Sequence, residues 1–359
     1  MRKLFFFAVL LATFASCTKN DLAPMNEGEK EITYLTAPLT KVTSYGTGNK
    51  FYSFAYLTTG NWDPTNSGTA QTFIDHALIS YKSNQWKADK NYYWPKDANS
   101  KLTFFAWGDG TSSPVLDMGD CSNTTGIVFA DFNISTSKNL DLMVAKIAAD
   151  QKSNTKPSTY GIDAGVSEGV PTLFYHVLSS LAFQAKTDQE YTDYTFKVKS
   201  ITFNNTYVQG TYAQGVDTDY LPTGVYNGTE PLKTDKDVWT KSTTVPTLNL
   251  FTASDAAGTQ IENDGSNTTL DHTKSTGSEY TIMLPHTLED SETVTIVYTI
   301  FNGSALEEVT KTVKLNDIFT GGWLPGKKYT LTITLSLKEI LWDPAVQDWD
   351  ATGSGSWTL

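Results

Sequence analysis

Residues 329–337 read YTLTITLSL, in which polar side chains alternate with large apolar ones. Successive side chains of a β-strand point to opposite faces, so this stretch predicts a strand whose inward face carries Leu331, Ile333, Leu335 and Leu337. Residues 293–300, TVTIVYTI, repeat the same period of two. Both stretches therefore predict half-buried strands of a sheet.

A change of phase marks residues 194–203, YTFKVKSITF. Phe196 and Val198 share one face of a predicted strand, whereas the apolar residues of the second half lie one step out of phase with them. An extra residue in one strand of a pair shifts the alternation in this way. We therefore predict a β-bulge near Lys199 or Ser200.

Short runs rich in Thr, Val, Ile, Tyr and Phe, separated by Gly, Asn, Asp and Pro, fill most of the chain after residue 30. Further strand candidates are residues 51–57, 101–107 and 173–185. Helical spacing is confined to residues 72–82, TFIDHALISYK, and to a single turn at 177–182. The predicted fold class is all-β, built of sandwiches with Greek-key connections.

The polar stretch at residues 187–192 is the predicted domain boundary. It divides an N-terminal β-sandwich domain, residues 31–187, from a C-terminal β-sandwich domain, residues 188–359, which includes a C-terminal tail. The chain of 359 residues is long enough for two cores of ordinary size.

The first residues predict export. Residues 1–16 combine a basic start, an apolar run and small residues before Cys17, which is typical of a signal peptide. The apolar run is shorter than the ~20 residues that a membrane-spanning helix needs. Cys17 and its small neighbours resemble the lipobox of bacterial lipoproteins, in which the thiol is acylated; an ordinary secretory signal is the alternative. Residues 17–30 are polar and predict a flexible tether.

Composition limits the partners. The formal net charge of −12 argues against nucleic acid and against anionic lipid surfaces. Cys17 and Cys121 are the two cysteines, and with Cys17 acylated we expect Cys121 to be buried or inert. Arg2 is the sole arginine, so the chain without its signal peptide contains none.

No motif for catalysis stands out. The histidines at positions 76, 176, 272 and 286 lack the spacing of a zinc site, and no nucleophile elbow or phosphate loop is present. We expect no enzymatic activity, no metal and no cofactor, and we interpret His176 as a hydrogen-bonded core histidine.

The tryptophans of the sequence indicate an alternative function, the binding of sugars. Exposed aromatic rings stack on sugars, and Trp62 and Trp239 lie in polar stretches that favour exposure. The alternative hypothesis is therefore a surface-tethered, glycan-binding lipoprotein.

An ordered set of short motifs resembles the fimbrillin family of pilus subunit lipoproteins (Mfa-like, FimA-like, type V). The matching pieces are YYWP at 92–95, KLTFFAW at 101–107, DLMVA at 141–145, FYHVLSSLAF at 174–183, WLPGKKY at 323–329 and VQDW at 346–349. The resemblance implies two tandem transthyretin-like β-sandwich domains. It also implies an adhesive subunit on the outer membrane, lipid-anchored through Cys17 and built into a fimbrium with other subunits of the same or another kind. A glycan or protein on a host or bacterial surface is a further implied partner.

The resemblance also implies assembly by donor-strand exchange, in which a neighbouring subunit replaces the first strand. Here that strand is residues 31–42, with Pro38 suiting an edge position. Its candidate plug residues are Ile32, Tyr34, Leu39 and Val42. The C-terminal tail supplies the candidate donor residues, which include Ile340, Trp342, Val346, Trp349, Trp357 and Leu359.

Maturation departs from the family pattern. The resembled family is best known for activation by cleavage after arginine. That cleavage is excluded here because the chain has no arginine beyond its signal peptide. Lys41 and Lys50 are the possible processing sites. A subunit that is not processed would keep Cys17 and its lipid.

Overall fold

A computed structural model describes residues 30–36, 46–66, 70–114, 119–135, 140–153, 169–216, 238–270, 280–337 and 340–348. The strands of the first half are β1 (Tyr34–Leu35), β2 (Lys50–Thr59), β3 (Gln71–Lys82), β4 (Gln85–Ala88), β5 (Ser100–Gly108), β6 (Asp120–Ser122), β7 (Gly126–Asn133), β8 (Met143–Ala145), β9 (Ala148–Gln151), β10 (Val170–Pro171) and β11 (Phe174–His176). The second half contains β12 (Ser179–Thr187), β13 (Thr195–Ala213), β14 (Val238–Thr252), β15 (Thr259–Gln260), β16 (Thr268–Leu270), β17 (Thr281–Met283), β18 (Thr293–Phe301), β19 (Leu306–Lys314), the short helix α1 (Leu315–Ile318), β20 (Lys327–Leu335) and β21 (Ile340–Asp348).

These strands form three sheets. The first sheet has the order β10-β1-β4-β3-β2-β5-β8-β11, with β9 paired to β5. The second sheet has the order β16-β12-β20-β21, with β17 paired to β12. The third sheet has the order β19-β18-β13-β7-β6, with β14 and β15 paired to β13.

The first sheet curls on itself. Its terminal strands β10 and β11 are separated along the chain by only Thr172 and Leu173. One continuous segment therefore pairs with β1 at one end of the sheet and with β8 at the other. The sheet encloses a first core, which includes Phe51, Phe104 and Phe174.

Strand β13 links the two halves of the chain. At its N-terminal end, Phe196 and Phe203 join a third core with residues of β12, β18 and β20. Near its C-terminal end, Tyr212 joins a second core with Trp107 of β5 and Phe129 of β7. This single strand of 19 residues thus contributes to the second and the third core.

The all-β prediction is confirmed. Strands β2, β5, β18 and β20 match the predicted runs, and β13 shifts its register against β18 between Val198 and Ser200, where the bulge was predicted. Leu331, Ile333 and Leu335 are buried as expected. The limits of the two domains and their transthyretin-like type stay predictions.

The predicted helix at residues 72–82 is wrong, because this segment is strand β3. Between the pairs Ser53–Ala77 and Ala55–Ile74, β3 has two residues where β2 has one. His76 takes up this bulge with φ at 48°. The bulge brings apolar residues onto one face at intervals longer than two, which imitates helical spacing.

Two smaller expectations are also wrong. The turn expected at residues 177–182 is largely extended, since β12 begins at Ser179. Leu337 is 44% exposed and does not face the core. The alternation stops there because β20 ends at Leu335, whose carbonyl accepts a hydrogen bond from the amide of Asp188.

Cys121 and His176 are both buried, as the sequence indicates. Cys121 is buried in β6, and burial raises the pKa of its thiol. His176 is 4% exposed, and its Nδ1 lies 2.5 Å from Oδ2 of Asp141. Within the described ranges, no helix has the length and hydropathy needed to cross a bilayer.

Candidate assembly site at the first strand

The site is the slot in the first sheet that residues 30–36 occupy. On one side Tyr34 of β1 pairs antiparallel with Trp86 of β4, and on the other it pairs parallel with Val170 of β10. The prediction that the first strand lies at the edge of a sheet is therefore wrong for β1, which has a neighbouring strand on each side. Pro38 lies outside the described residues.

Backbone hydrogen bonds hold this segment on both sides. The amide of Ile32 donates to the carbonyl oxygen of Tyr92 at 2.7 Å. On the opposite side, the amide of Val170 donates to the carbonyl oxygen of Thr33 at 2.7 Å. Because these bonds run to both neighbours, a substitute for this segment must be an extended strand.

Side chains of the segment point alternately into two cores. Ile32 and Tyr34, each 2% exposed, belong to the first core, whereas Leu35 belongs to the second. This alternation follows from the period of two in an extended chain. The segment therefore packs between the first and the second core, and we refer to residues 30–36 as the plug.

Tyr34 is the largest side chain of the plug. Its ring makes edge contacts with Phe51 and Phe104, at centroid distances of 5.6 and 5.8 Å. Its hydroxyl donates to Oγ of Ser53 at 3.2 Å, and burial raises the pKa of the phenol. A strand that replaces β1 must fill this aromatic pocket, or Phe51 and Phe104 lose their contacts.

Gly169 allows the close approach of the segment before β10. A Cβ atom at this position would lie 2.9 Å from Cγ of Leu35 and 3.1 Å from the carbonyl oxygen of Thr33. Contacts this short require the backbone to shift. The glycine thus keeps one wall of the slot against β1.

Burial of the plug stabilises the folded chain. Ile32, Tyr34 and Leu35 are buried side chains whose transfer from water contributes ~1.5–3 kcal/mol each. Spontaneous loss of the segment would remove these contributions and expose Phe51 and Phe104. Removal of the segment without a replacement is therefore energetically unfavourable.

Among the predicted site residues, the structure brings Ile32 and Tyr34 together in the slot. Lys50 is the first residue of β2, where its amide donates to the carbonyl oxygen of Thr111 at 2.9 Å. The other predicted positions lie outside the described residues: Cys17, Leu39, Lys41, Val42, Trp349, Trp357 and Leu359.

Part of the predicted donor tail is occupied in its own subunit. Strand β21 pairs with β20 along its whole length, from Ile340 to Asp348, as the edge of the second sheet. Trp342 and Val346 pack partly buried against the third core. Pro344 has no amide proton, so the free edge of β21 lacks one donor for pairing with a further strand.

The predicted surface tryptophans are not exposed platforms, and this expectation is wrong. Trp62 is 2% exposed, and its Nε1 donates to Oδ1 of Asn123 at 2.5 Å. Trp239 is half-buried, and its Nε1 donates to the carbonyl oxygen of Val177 at 2.6 Å. Their polar neighbours along the chain misled the prediction, because contacts with residues distant in sequence bury Trp62 and half-bury Trp239.

Comparison of sequences decides the family. The fimbrillin-like family matches residues 40–349, which is most of the chain. The chain belongs to the fimbrillin-like family. The matched range contains every strand from β2 to β21 and leaves β1 ahead of it. A comparison with curated proteins gives no match.

Solved structures of fimbrial and cell-adhesion proteins resemble this fimbrillin-like protein to different degrees. A fimbrial protein from Bacteroides vulgatus has 18% identity and a TM-score of 0.51, with 89% of this chain and 99% of that chain covered. A protein provisionally assigned to cell adhesion, from Bacteroides uniformis, has 16% identity and a TM-score of 0.49, covering 91% of this chain and 100% of that one. The C-terminally truncated tip fimbrial protein Mfa3 from Porphyromonas gingivalis has 12% identity and a TM-score of 0.38, covering 89% and 98%.

Membership in the family supports a role as a fimbrial subunit at the cell surface, with other fimbrial subunits as partners. It also favours a structural role over an enzymatic one. Among the described residues, no three His, Cys, Asp or Glu side chains converge to hold a metal ion.

Proposed function

We propose that this fimbrillin-like protein is exported as an outer-membrane lipoprotein, acylated at Cys17, and assembled into a fimbrium by donor-strand exchange at the slot of β1. The observation that carries the proposal is the geometry of that slot. A segment with hydrogen bonds on both sides and buried side chains lies ahead of the residues that the family shares. Replacing such a segment by a strand from a neighbour is a known way to join subunits.

The C-terminal tail has the side chains that a donor needs. Ile32 and Tyr34 lie two positions apart, as do Trp357 and Leu359. Residues two positions apart share one face of a strand. In a donor strand running opposite to β1, Trp357 would occupy the place of Tyr34 and Leu359 that of Ile32.

We propose that proteolytic cleavage frees the slot. The surroundings of the two candidate lysines favour one of them as the cleavage site. Lys50 lies in a paired strand, next to the fully buried Phe51, so a protease reaches the bond between them only after local unfolding. Cleavage after Lys41 separates residues 31–36 from β2. We therefore propose Lys41 as the processing site.

Limited digestion with a lysine-specific protease tests the cleavage. We expect Lys41→Gln to abolish both the cut before residue 42 and the ladder of polymers, seen by mass spectrometry and electrophoresis. Lys50→Gln, the matched control, is expected to behave like the parent. The proposal is overturned when the parent is cut after Lys41, loses residues 31–36 and still remains monomeric.

Acylation of Cys17 has a direct readout. In cells fed an alkyne fatty acid, Cys17→Ala is expected to lose the label and to leave the membrane fraction. Cys121→Ser, the control, is expected to keep both, because the buried thiol of Cys121 is not available for acylation. Label retained on Cys17→Ala would contradict the lipid anchor.

The N-terminus of the surface protein then assigns its place in the fimbrium. A labelled chain that begins at Cys17 is an anchor subunit, because it retains its lipid and its own first strand. A chain that begins at residue 42 is a stalk or tip subunit, because cleavage removes Cys17 together with β1.

A further inference from the structure

A groove lies on the outer face of the third sheet, beside the bulge in β13. The bulge between Val198 and Ser200 bends the sheet where β13, β18 and β19 lie side by side. Bulges increase local twist and redirect side chains, and they often lie next to functional sites. The bend opens a groove of about 360 Å³, which is large enough for a small ligand.

A tight turn forms one wall of this groove. The turn joins β14 to β15 and carries Ala256 and Ala257. Gly258, with φ at 98°, lets the turn lie against β13, since a Cβ atom there would be 3.0 Å from the carbonyl oxygen of Val198. The groove is thus built by two local backbone features of the sequence.

Large apolar side chains form the opposite wall. Phe301 and Leu306 are directly paired across β18 and β19, and they are 41% and 68% exposed. Both line the groove. An exposed aromatic ring beside an exposed leucine is a surface that a ligand with an apolar face can cover.

The floor of the groove is cationic. Lys197 lies on it and makes no ion pair within the described part of the chain. Lys199 bridges the groove to Glu308, with Nζ 2.6 Å from Oε2. The lining residues therefore keep one uncompensated positive charge, on a chain whose net charge is −12.

The floor offers side chains and no free backbone. At Lys197, β13 is paired with Gln260 of β15 on one side and with Thr299 of β18 on the other. An extended peptide cannot add to this surface as a further strand, because the backbone groups are already paired. A ligand must be recognised through an aromatic ring, an ammonium group, a hydroxyl and an amide.

We infer that this groove binds a short sugar that carries a carboxylate, such as a sialic or uronic acid unit. The sugar's apolar face stacks on Phe301, its carboxylate pairs with Lys197, and its hydroxyl groups bond to Thr195 and Gln260. The overall negative charge opposes a polyanion, so a short oligosaccharide fits better than a highly charged polymer. This function goes beyond the proposed assembly and does not depend on it.

Titration of the purified full-length protein with two carboxylated sugars, 3′-sialyllactose and trigalacturonate, tests the inference. Ligand-observed NMR and calorimetry measure binding, with lactose as the neutral comparison. We expect at least one carboxylated sugar to bind and lactose not to bind. Whichever sugar binds distinguishes a sialic acid source from a uronic acid source.

Single substitutions assign the binding to the groove. We expect Lys197→Gln to weaken binding about tenfold, equivalent to ~1.4 kcal/mol, and Phe301→Ser to weaken it at least as much. Lys311→Gln is the matched control, because it pairs with Ile296 on the other face of β19 and lies outside the groove. Unchanged unfolding midpoints establish that the variants are folded, which the exposure of Phe301 favours.

Three results overturn the inference. The first is the absence of binding by both carboxylated sugars. The second is binding that both groove variants retain. The third is equal binding of lactose.

Discussion

Cysteines at positions 31 and 93 are expected to lock the first strand in its slot and to abolish polymerisation. Glu31 and Tyr93 form an isolated antiparallel bridge. The flanking hydrogen bonds run from the amide of Ile32 to the carbonyl oxygen of Tyr92 and from the amide of Trp94 to that of Lys30. This pattern makes the pair a non-hydrogen-bonded one, whose Cα atoms lie ~4.5 Å apart and suit a disulfide.

The expected effect is large because the cross-link survives cleavage. After a cut behind Lys41, the bound strand stays tethered to its slot at an effective concentration on the order of millimolar. A donor strand from a second subunit competes poorly against it. The substitution itself costs little, since the ion pair that it removes, Glu31 with Lys87 at 3.5 Å, is a partly exposed one.

The assay compares oxidised and reduced protein in a Cys17→Ser background. Oxidised Glu31→Cys/Tyr93→Cys protein is expected to remain monomeric after digestion, and a reductant is expected to restore the ladder. The matched control is Thr295→Cys/Thr312→Cys, which staples the pair between β18 and β19 whose hydroxyl groups lie 2.8 Å apart. It should polymerise in both states. Ladders from the oxidised 31–93 protein would rule out the slot as the assembly site.

Loss of His286 is expected to lower the free energy of unfolding by ~3–5 kcal/mol, the usual cost of stranding one member of a buried pair. Nε2 of His286 lies 2.9 Å from Oε2 of Glu292, and the two side chains are 1% and 0% exposed. Nδ1 of His286 lies 2.7 Å from the carbonyl oxygen of Leu284. Both ring nitrogens therefore have partners.

Glu292 is equally well bonded. Its carboxylate accepts hydrogen bonds from Oγ1 of Thr206 at 2.9 Å and from the amide of Glu289 at 3.0 Å. His286→Ala leaves this carboxylate buried without its imidazole partner. The location amplifies the effect, because Met283 and Leu284, which precede the pair, belong to the third and the second core respectively.

Urea unfolding of His286→Ala measures the loss. Lys314→Gln is the control, since its ion pair with Asp290 is largely exposed and should change the free energy of unfolding by less than ~1 kcal/mol. The double variant His286→Leu/Glu292→Leu is expected to recover part of the stability, because it leaves no unpaired buried group. A loss below ~1 kcal/mol for His286→Ala would show that the buried pair contributes no more to stability than an exposed ion pair.

Local patterns predicted much of the fold. The period of two in residues 293–300 and 329–337 identified β18 and β20, because alternation along one strand follows directly from backbone geometry. The break of phase in residues 194–203 located the bulge of β13 for the same reason. The absence of arginine beyond Arg2 led to the prediction of processing after lysine, and Cys17 led to the prediction of a lipid anchor.

Contacts between distant strands decided the rest. Residues 72–82 resembled a helix because a bulge at His76 alters the spacing of apolar residues within a strand. Trp62 and Trp239 resembled surface residues because burial depends on partners far along the chain, such as Asn123 and Val177. No local pattern carries that information.

Alternation and the order of short motifs predicted an all-β, fimbrillin-like chain, which the structure and the family match confirm, and they named Ile32 and Tyr34 as candidate plug residues. The tertiary structure then placed residues 30–36 between β4 and β10, inside a sheet whose ends meet through Thr172 and Leu173. It also decided that a bulge and a tight turn open a groove beside Phe301. The physical reason is that strand pairing joins residues far apart in sequence, so alternation reveals a strand but not its neighbours.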